Sequence, residues 1–338
     1  MASDLIASTS PAVAPVSRRV RAFFAPVNRV TAQPTLWDPA GIAGFNPCAP
    51  PAPWVDLGWC SNFVRTSSTQ ATPIAGGAPA VPLTQVRTAV EASVSLEFES
   101  WGKLPLALTA GVQQMNVLRT QTGATANGSG GTATAPVPLG TDSTATTLDV
   151  GIASSGFTVG EVVAVDLDYT GQTAYVGSGV SGGYVKSAAA IGSDPDYIRR
   201  ITLNVGRVVA IAGNVLTLGA PLLAGTPVVG MKVSHVAGFC DREGGSFFQE
   251  WSALFVLDGE QGDRIVFHYP RLQAAAGPAE KAESLAASPA ASRLASRFGA
   301  LERVRLAGTF RALPVKDAND GEQIVCFRSY LPGPMRAV

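Results

Sequence analysis

From Val90 to Glu99 the chain alternates without a break, with Val90, Ala92, Val94, Leu96 and Phe98 on one face and Glu91, Ser93, Ser95, Glu97 and Glu99 on the other. A period of two predicts a half-buried β-strand, one side on a core and the other in water. Beyond it Leu104, Leu108, Val112 and Met115 recur at offsets of four, four and three. That spacing predicts a helix of two or three turns within 104–118, covering one face of a sheet, with Pro105 in its first turn and Gly111 as its weak point.

Farther along, Glu161 to Asp168, Ile201 to Val205, Arg207 to Ile211 and Asn214 to Leu218 are short runs of Val, Ile, Leu and Thr separated by glycine. Ala212-Gly213-Asn214 supplies a tight connection between two of them, and the stretch from 141 to 235 reads as a small all-β module inserted into a larger fold. Strand texture resumes at Phe247 to Leu257, turns at Asp258-Gly259 and returns through Arg264 to Tyr269, the pattern of a hairpin. Val304, Leu306, Gly308 and Phe310 alternate, and Ile324 to Tyr330 follows after Asn319-Asp320-Gly321, which predicts a second hairpin. Leu294, Phe298 and Leu301 allow a short helix after Pro289.

Two stretches lack periodicity. Residues 1–89 hold 12 of the 24 prolines and read as an extended arm ending in a long loop from Ser61 to Thr88. Trp37, Phe45, Trp54, Leu57, Trp59 and Phe63 predict that this arm packs on a surface, since a flexible linker rarely carries such groups. Thr120 to Gly140 is Thr, Ala, Gly and Ser, a linker composition. The resulting division is an arm and loop at 1–89, a β core from 90–124 and 236–338, and a linker with the inserted domain at 125–235.

Composition narrows the function classes. Charged residues are 15% of the chain, and 25 basic residues balance 25 acidic ones, so no electrostatic footprint for nucleic acid or anionic membrane is present. Gly and Pro are abundant and aromatics few, which favours strands and turns with a weakly charged surface that neighbouring subunits can cover. The N-terminal residues show no basic region followed by an apolar run, and no window approaches 18 apolar residues, so neither a signal peptide nor a membrane span is expected. Cys48, Cys60, Cys240 and Cys326 are far apart and read as free thiols of a protein made in a reducing cytoplasm.

The candidate chemistry is sparse. Gly177 to Gly182 matches G-x-G-x-x-G, but that motif cradles phosphate only where a helix starts, and no helical pattern follows. The acidic pairs Asp166/Asp168, Asp194/Asp196, Asp241/Glu243 and Asp317/Asp320/Glu322 lack the ligand spacing of a calcium loop and read as turn and strand-end residues. Asp241, Glu243 and Glu250 near Trp251 are the one set that a glycosidase could use, with nothing to set their separation. His235 and His268 read as satisfied structural histidines. We expect no enzyme activity, no cofactor and no metal.

Three segments carry a family resemblance. Trp54-Val-Asp-Leu-Gly-Trp59 leads into a long loop, and Val90 to Leu118 places an alternating strand before a packing helix. Phe247 to Leu272 with Val304 to Leu331 forms closing hairpins that include Gly321-Glu-Gln-Ile-Val-Cys-Phe-Arg328. In this order and texture, over about 160 residues, the chain resembles the major tail tube proteins of long-tailed bacteriophages. The module at 141–235 departs from the simplest members.

The resemblance implies a mainly β protomer, a β-sandwich or barrel of tail-tube type with one flanking helix and an inserted small all-β domain. It implies homo-oligomeric rings, hexameric in that family, stacked into a tube in the virion tail through which DNA passes without specific binding. Partners would be copies of itself, the tape measure and tail terminator proteins, and a host surface contacted by the inserted domain. Under this reading Glu91, Ser93, Ser95, Glu97 and Glu99 face an anionic lumen that repels phosphate. Asn62, Arg65, Gln70, Gln85 and Arg87 belong to a loop that reaches the next ring. A decoration or baseplate protein of the virion is the alternative, followed by a polysaccharide-binding β protein.

Overall fold

A computed structural model of the chain describes residues 19–28, 31–111, 115–119, 134–167, 204–240, 249–260, 262–275, 277–284 and 302–332. Along the chain the first strands are β1 (Val20–Pro26), β2 (Val55–Gly76) and β3 (Val81–Phe98), followed by the helix α1 (Lys103–Ala110). Then come β4 (Met115–Leu118), β5 (Val137–Pro138), β6 (Thr147–Asp149), β7 (Val162–Leu167), β8 (Val205–Ala212), β9 (Val215–Leu218) and β10 (Met231–Cys240). The last group is β11 (Glu250–Asp258), β12 (Arg264–Ala274), β13 (Ala279–Ser284), β14 (Glu302–Ala312), β15 (Val315–Lys316), β16 (Gln323–Ile324) and β17 (Phe327–Leu331). The protein is mainly β, as its alternation predicts.

The strands sort into two units, one drawn from within 1–25, 34–101 and 251–338, the other from within 26–33 and 102–250. In the first, the sheet runs β13-β14-β3-β2-β1-β11-β12-β17, and an extra pairing of β14 with β12 joins its two ends. Six strands, β14, β3, β2, β1, β11 and β12, therefore close into a barrel, leaving β13 and β17 as flanking edges. Its interior is aromatic: Phe24 meets Trp251, Phe255 and Phe310 with ring centroids 6.5, 5.8 and 5.7 Å apart, and Phe255 meets Tyr269 edge-on. A second layer covers the outside of β1 and β11, where Phe23, Ala25, Leu254, Val256 and Val266 pack against Phe45 and Trp54, with Trp37, Ile42 and Leu331 at its margin. Covered on both sides, β11 is buried continuously from Trp251 to Val256, and its sequence shows an apolar run there instead of alternation.

This arrangement corrects the reading of residues 1–89 as an arm and loop. Val20–Pro26 and Val55–Gly76 are strands of the barrel sheet, and among the described residues the segment carrying Trp37, Phe45 and Trp54 is irregular and packs on the unit's own surface. The alternation of β2 is hidden by a register shift between Ser61 and Val64 and by a distal half with polar residues on both faces.

In the second unit the strand order is β4-β10-β7-β8-β9-β6, with β5 also paired to β10. Its core is Leu148, Val150, Phe157, Val163, Val165, Val208, Leu216, Leu218, Leu222, Met231 and Val233. Gly213, at φ 56°, makes the tight β8–β9 connection that the sequence predicts. The units divide at 101/102 and 250/251, not at 124/125 and 235/236, because β4 pairs along β10 and draws residues 115–118 into this sheet.

Two further expectations change. The helix over 104–118 stops at Ala110, where Gly111 adopts φ 61° and its amide bonds to the Ala107 carbonyl, and Met115–Leu118 is strand. It belongs to the second unit. The expected hairpin from Val304 to Tyr330 is split: β14 pairs with β13, β3 and β12, β17 pairs with β12, and the Asn319-Asp320-Gly321 turn closes only the short β15–β16 ribbon. The helix expected after Pro289, the G-x-G-x-x-G stretch, and the pairs Asp194/Asp196 and Asp241/Glu243 lie outside the described residues.

Candidate functional site

Ala92, Val94, Leu96 and Phe98 point into the barrel, which turns Glu91, Ser93, Ser95 and Glu97 outward beside β14. The register sets Glu97 opposite Ala307, Ser95 opposite Thr309 and Ser93 opposite Arg311, so each glutamate lies diagonal to an arginine. Arg305 Nη1 stands 3.1 Å from Glu97 Oε2 and Arg311 Nη2 stands 2.8 Å from Glu91 Oε1. Arg19 Nη1 is 3.6 Å from Glu99 Oε2, and Arg303 donates to the Glu99 carbonyl at 2.7 Å.

The expected anionic face is therefore a zwitterionic one. Its acids came from β3 and its arginines from β14, more than 200 residues later. Exposed pairs of this kind contribute about 0.2–1 kcal/mol each, so they matter more for neutralising the surface than for stability. Between them the face is hydroxyl-lined: Thr66 and Ser93 are 2.6 Å apart and Ser95 and Thr309 are 3.2 Å apart. An open cleft of about 330 Å³ lies here, with Thr66, Ser68, Glu91, Ser93 and Arg311 on its walls.

Beyond this face β2 and β3 continue together as a two-stranded ribbon, paired from Thr66/Ser93 out to Gly76/Val81. The long loop expected from Ser61 to Thr88 is thus a hairpin. About eleven residues per strand span about 35 Å. Every residue from Thr66 to Ala75 is exposed, and no Asp, Glu, Lys, Arg or His occurs between Arg65 and Arg87. Ile74, Val81, Leu83 and Val86 are 49%, 51%, 70% and 48% exposed.

The residues expected in a ring-reaching loop separate accordingly. Gln70, Gln85 and Arg87 are exposed on the ribbon. Asn62 sits at the bulge with φ 51°. Arg65 instead turns back to the barrel, donating from Nε to the Tyr269 hydroxyl at 2.7 Å with its guanidinium 5.4 Å from the Phe267 ring centroid. Burial pushes the Tyr269 phenol up and also raises the neighbouring Cys326 thiol. Arg65 ties the root of the ribbon to the barrel wall.

Sequence reasoning missed a second polar centre, in the inserted unit. Glu161, buried, lies with Oε1 2.6 Å from His235 Nδ1 and 2.5 Å from Arg119 Nη2, while Oε2 accepts from the Thr158 amide at 3.1 Å. Phe157 stacks on the imidazole at 4.2 Å. No spacing signal links residues 119, 161 and 235, which strand pairing alone brings together. Among the described residues no group of three or more His, Cys, Asp or Glu side chains could hold a metal ion.

Burial decides thiol behaviour. Cys60 is fully buried and its thiol is pushed up to about 12, chiefly by desolvation and then by Glu99 and Asp56, whereas Cys48 is exposed. Iodoacetamide at pH 8 followed by peptide mass spectrometry is expected to modify Cys48 in the native protein and Cys60 only after denaturation. Equal labelling of the two would contradict the closed barrel.

No family model matches the sequence, and no curated protein matches it.

Proposed function

We propose that this chain is a structural, self-assembling subunit whose copies form rings that stack into a bacteriophage tail tube. The observation that carries the reading is the outer part of the β2–β3 ribbon, from Thr66 to Val86: a hairpin end without a charged residue that holds four large apolar side chains in water. An isolated two-stranded ribbon is marginal in water and gains most of its stability from a surface that covers it. A neighbouring copy provides such a surface, and an interface between unlike patches of identical copies propagates into rings or filaments.

The β3–β14 face suits the channel side of such an assembly. Its glutamates are already matched by Arg305, Arg311 and Arg19, so the strand pair offers passing DNA neither strong repulsion nor a strongly cationic surface. This replaces repulsion by an anionic lining with charge neutrality as the reason for passage without binding.

The test is negative-stain electron microscopy across a concentration series, on the full chain and on a variant with residues 68–89 replaced by a two-residue turn. Rings or tubes are expected from the parent chain. The shortened variant keeps its barrel and needs more than about tenfold higher concentration to assemble, since each 1.4 kcal/mol of lost contact is tenfold. Monomers from the parent chain at all concentrations would reject the proposal, as would undiminished assembly of the variant.

A further inference from the structure

His268 is a buried polar residue for which neither the barrel nor the assembly reading has a use. It lies on β12 with its side chain in the outer layer, 2% exposed. Trp54 meets its ring edge-on at 6.1 Å, and Phe327 stacks on it at 5.6 Å and 26°. His268 and Phe327 are also register partners, the last pair in the β12–β17 ladder that starts at Arg264 and Leu331.

β17 is a flanking edge strand with little else to hold it. Phe327, Arg328 and Tyr330 are exposed, and Leu331 alone among its side chains joins the apolar layer of Leu254, Val256 and Val266. Edge strands of this kind open at much lower cost than the global unfolding free energy. What covers the imidazole on the solvent side is therefore a flanking edge strand.

We propose that β17 is an acid-releasable edge strand, latched by the neutral ring of His268 held between Trp54 and Phe327. Among the described residues a protonated imidazole in that slot has no carboxylate acting on it. The 34–54 segment brings Trp54 and the Thr35 main chain, β11 brings Leu254 and Val256, and β17 brings Phe327. Arg264 of β12 pairs with Asp258, Arg328 of β17 is exposed, and Tyr269 and Cys326 are engaged with Arg65. Opening β17 lets water reach the ring and bares the β12 edge from Arg264 to His268.

Desolvation holds the imidazole down at about 4, partly opposed by the Thr35 main chain, against 6.5 for a free ring. The closed strand thus binds fewer protons than the open one. Its closure is fully favoured above pH 6.5 and weakens as pH falls from 6.5 towards 4. For those two values the opening constant rises roughly 30-fold between pH 7.5 and pH 5.

The experiment is hydrogen exchange of the full chain from pH 7.5 to 5, corrected for intrinsic rates, comparing β17 amides with β3 amides in the parent and in His268→Phe. The expected result is a roughly 30-fold loss of β17 protection at pH 5 in the parent, little change in β3, and no acid loss in His268→Phe. Protection of β17 that tracks β3, or acid release that persists in His268→Phe, overturns the proposal. If His268→Phe fails to fold, imidazole titration by NMR decides, since the chain has two histidines. Phe327→Ala then moves the His268 midpoint up towards 6.5; a parent midpoint already near 6.5, or one that Phe327→Ala leaves unmoved, overturns it equally.

Discussion

Phe24→Ala is expected to destabilise the first unit by about 4 kcal/mol, the usual cost of emptying a phenylalanine site in a closed core. The ring has no exposed surface and bridges three strands at once, through Trp251 and Phe255 of β11 and Phe310 of β14. Alanine there leaves a cavity walled by aromatic rings, which interdigitate too rigidly to collapse into it. All five tryptophans, at 37, 54, 59, 101 and 251, belong to this unit, so tryptophan fluorescence during urea unfolding reports the barrel alone. A shift below about 1.5 kcal/mol would mean that Phe24 is not at the centre of a closed barrel.

Glu161→Ala is the second large effect, about 3 kcal/mol, and it falls on the other unit. The carboxylate receives His235, Arg119 and the Thr158 amide while almost wholly out of water. Alanine leaves the Thr158 donor without its acceptor and the buried imidazole without its carboxylate, and an unsatisfied buried group costs more than its bond contributed. Arg119, nearly half exposed, can turn to solvent, which keeps the loss near the lower end for a broken buried pair. Glu161→Gln, which retains an acceptor, is expected to lose less. Far-UV circular dichroism should show an early transition in Glu161→Ala that tryptophan fluorescence does not share. Coincident shifts by both probes would show that the two units unfold as one.

How far each element could be read from the chain depended on how many of its faces meet water. β3 is dry on one side and wet on the other from Ala92 to Phe98, and this difference is what period-two alternation records. Its inward set Val94, Leu96, Phe98 and its outward set Ser93, Ser95, Glu97 were legible for that reason. Gly213 and Asp258-Gly259 were legible because a tight turn constrains its own residues locally. The ribbon half of β2 is wet on both faces and β11 is dry on both, so neither alternates, and the first looked like a loop. Gly111 interrupted a helical period that the apolar spacing alone carried onward to Met115.

The sequence by itself determined the local terms: mainly β texture, the inward face of β3 and the tight turns. Tertiary structure alone decided the pairings, and with them the chemistry of every polar site. Arg305 and Arg311 reach Glu97 and Glu91 only because β14 lies beside β3, and this converts an apparently anionic strand into a neutral face. His268 has Phe327 against its ring because β17 pairs with β12 instead of with β14, and Glu161 meets His235 because β7 pairs with β10. Charge and burial are properties of neighbours in space, and a contact between strands 200 residues apart leaves no period in the chain that makes it.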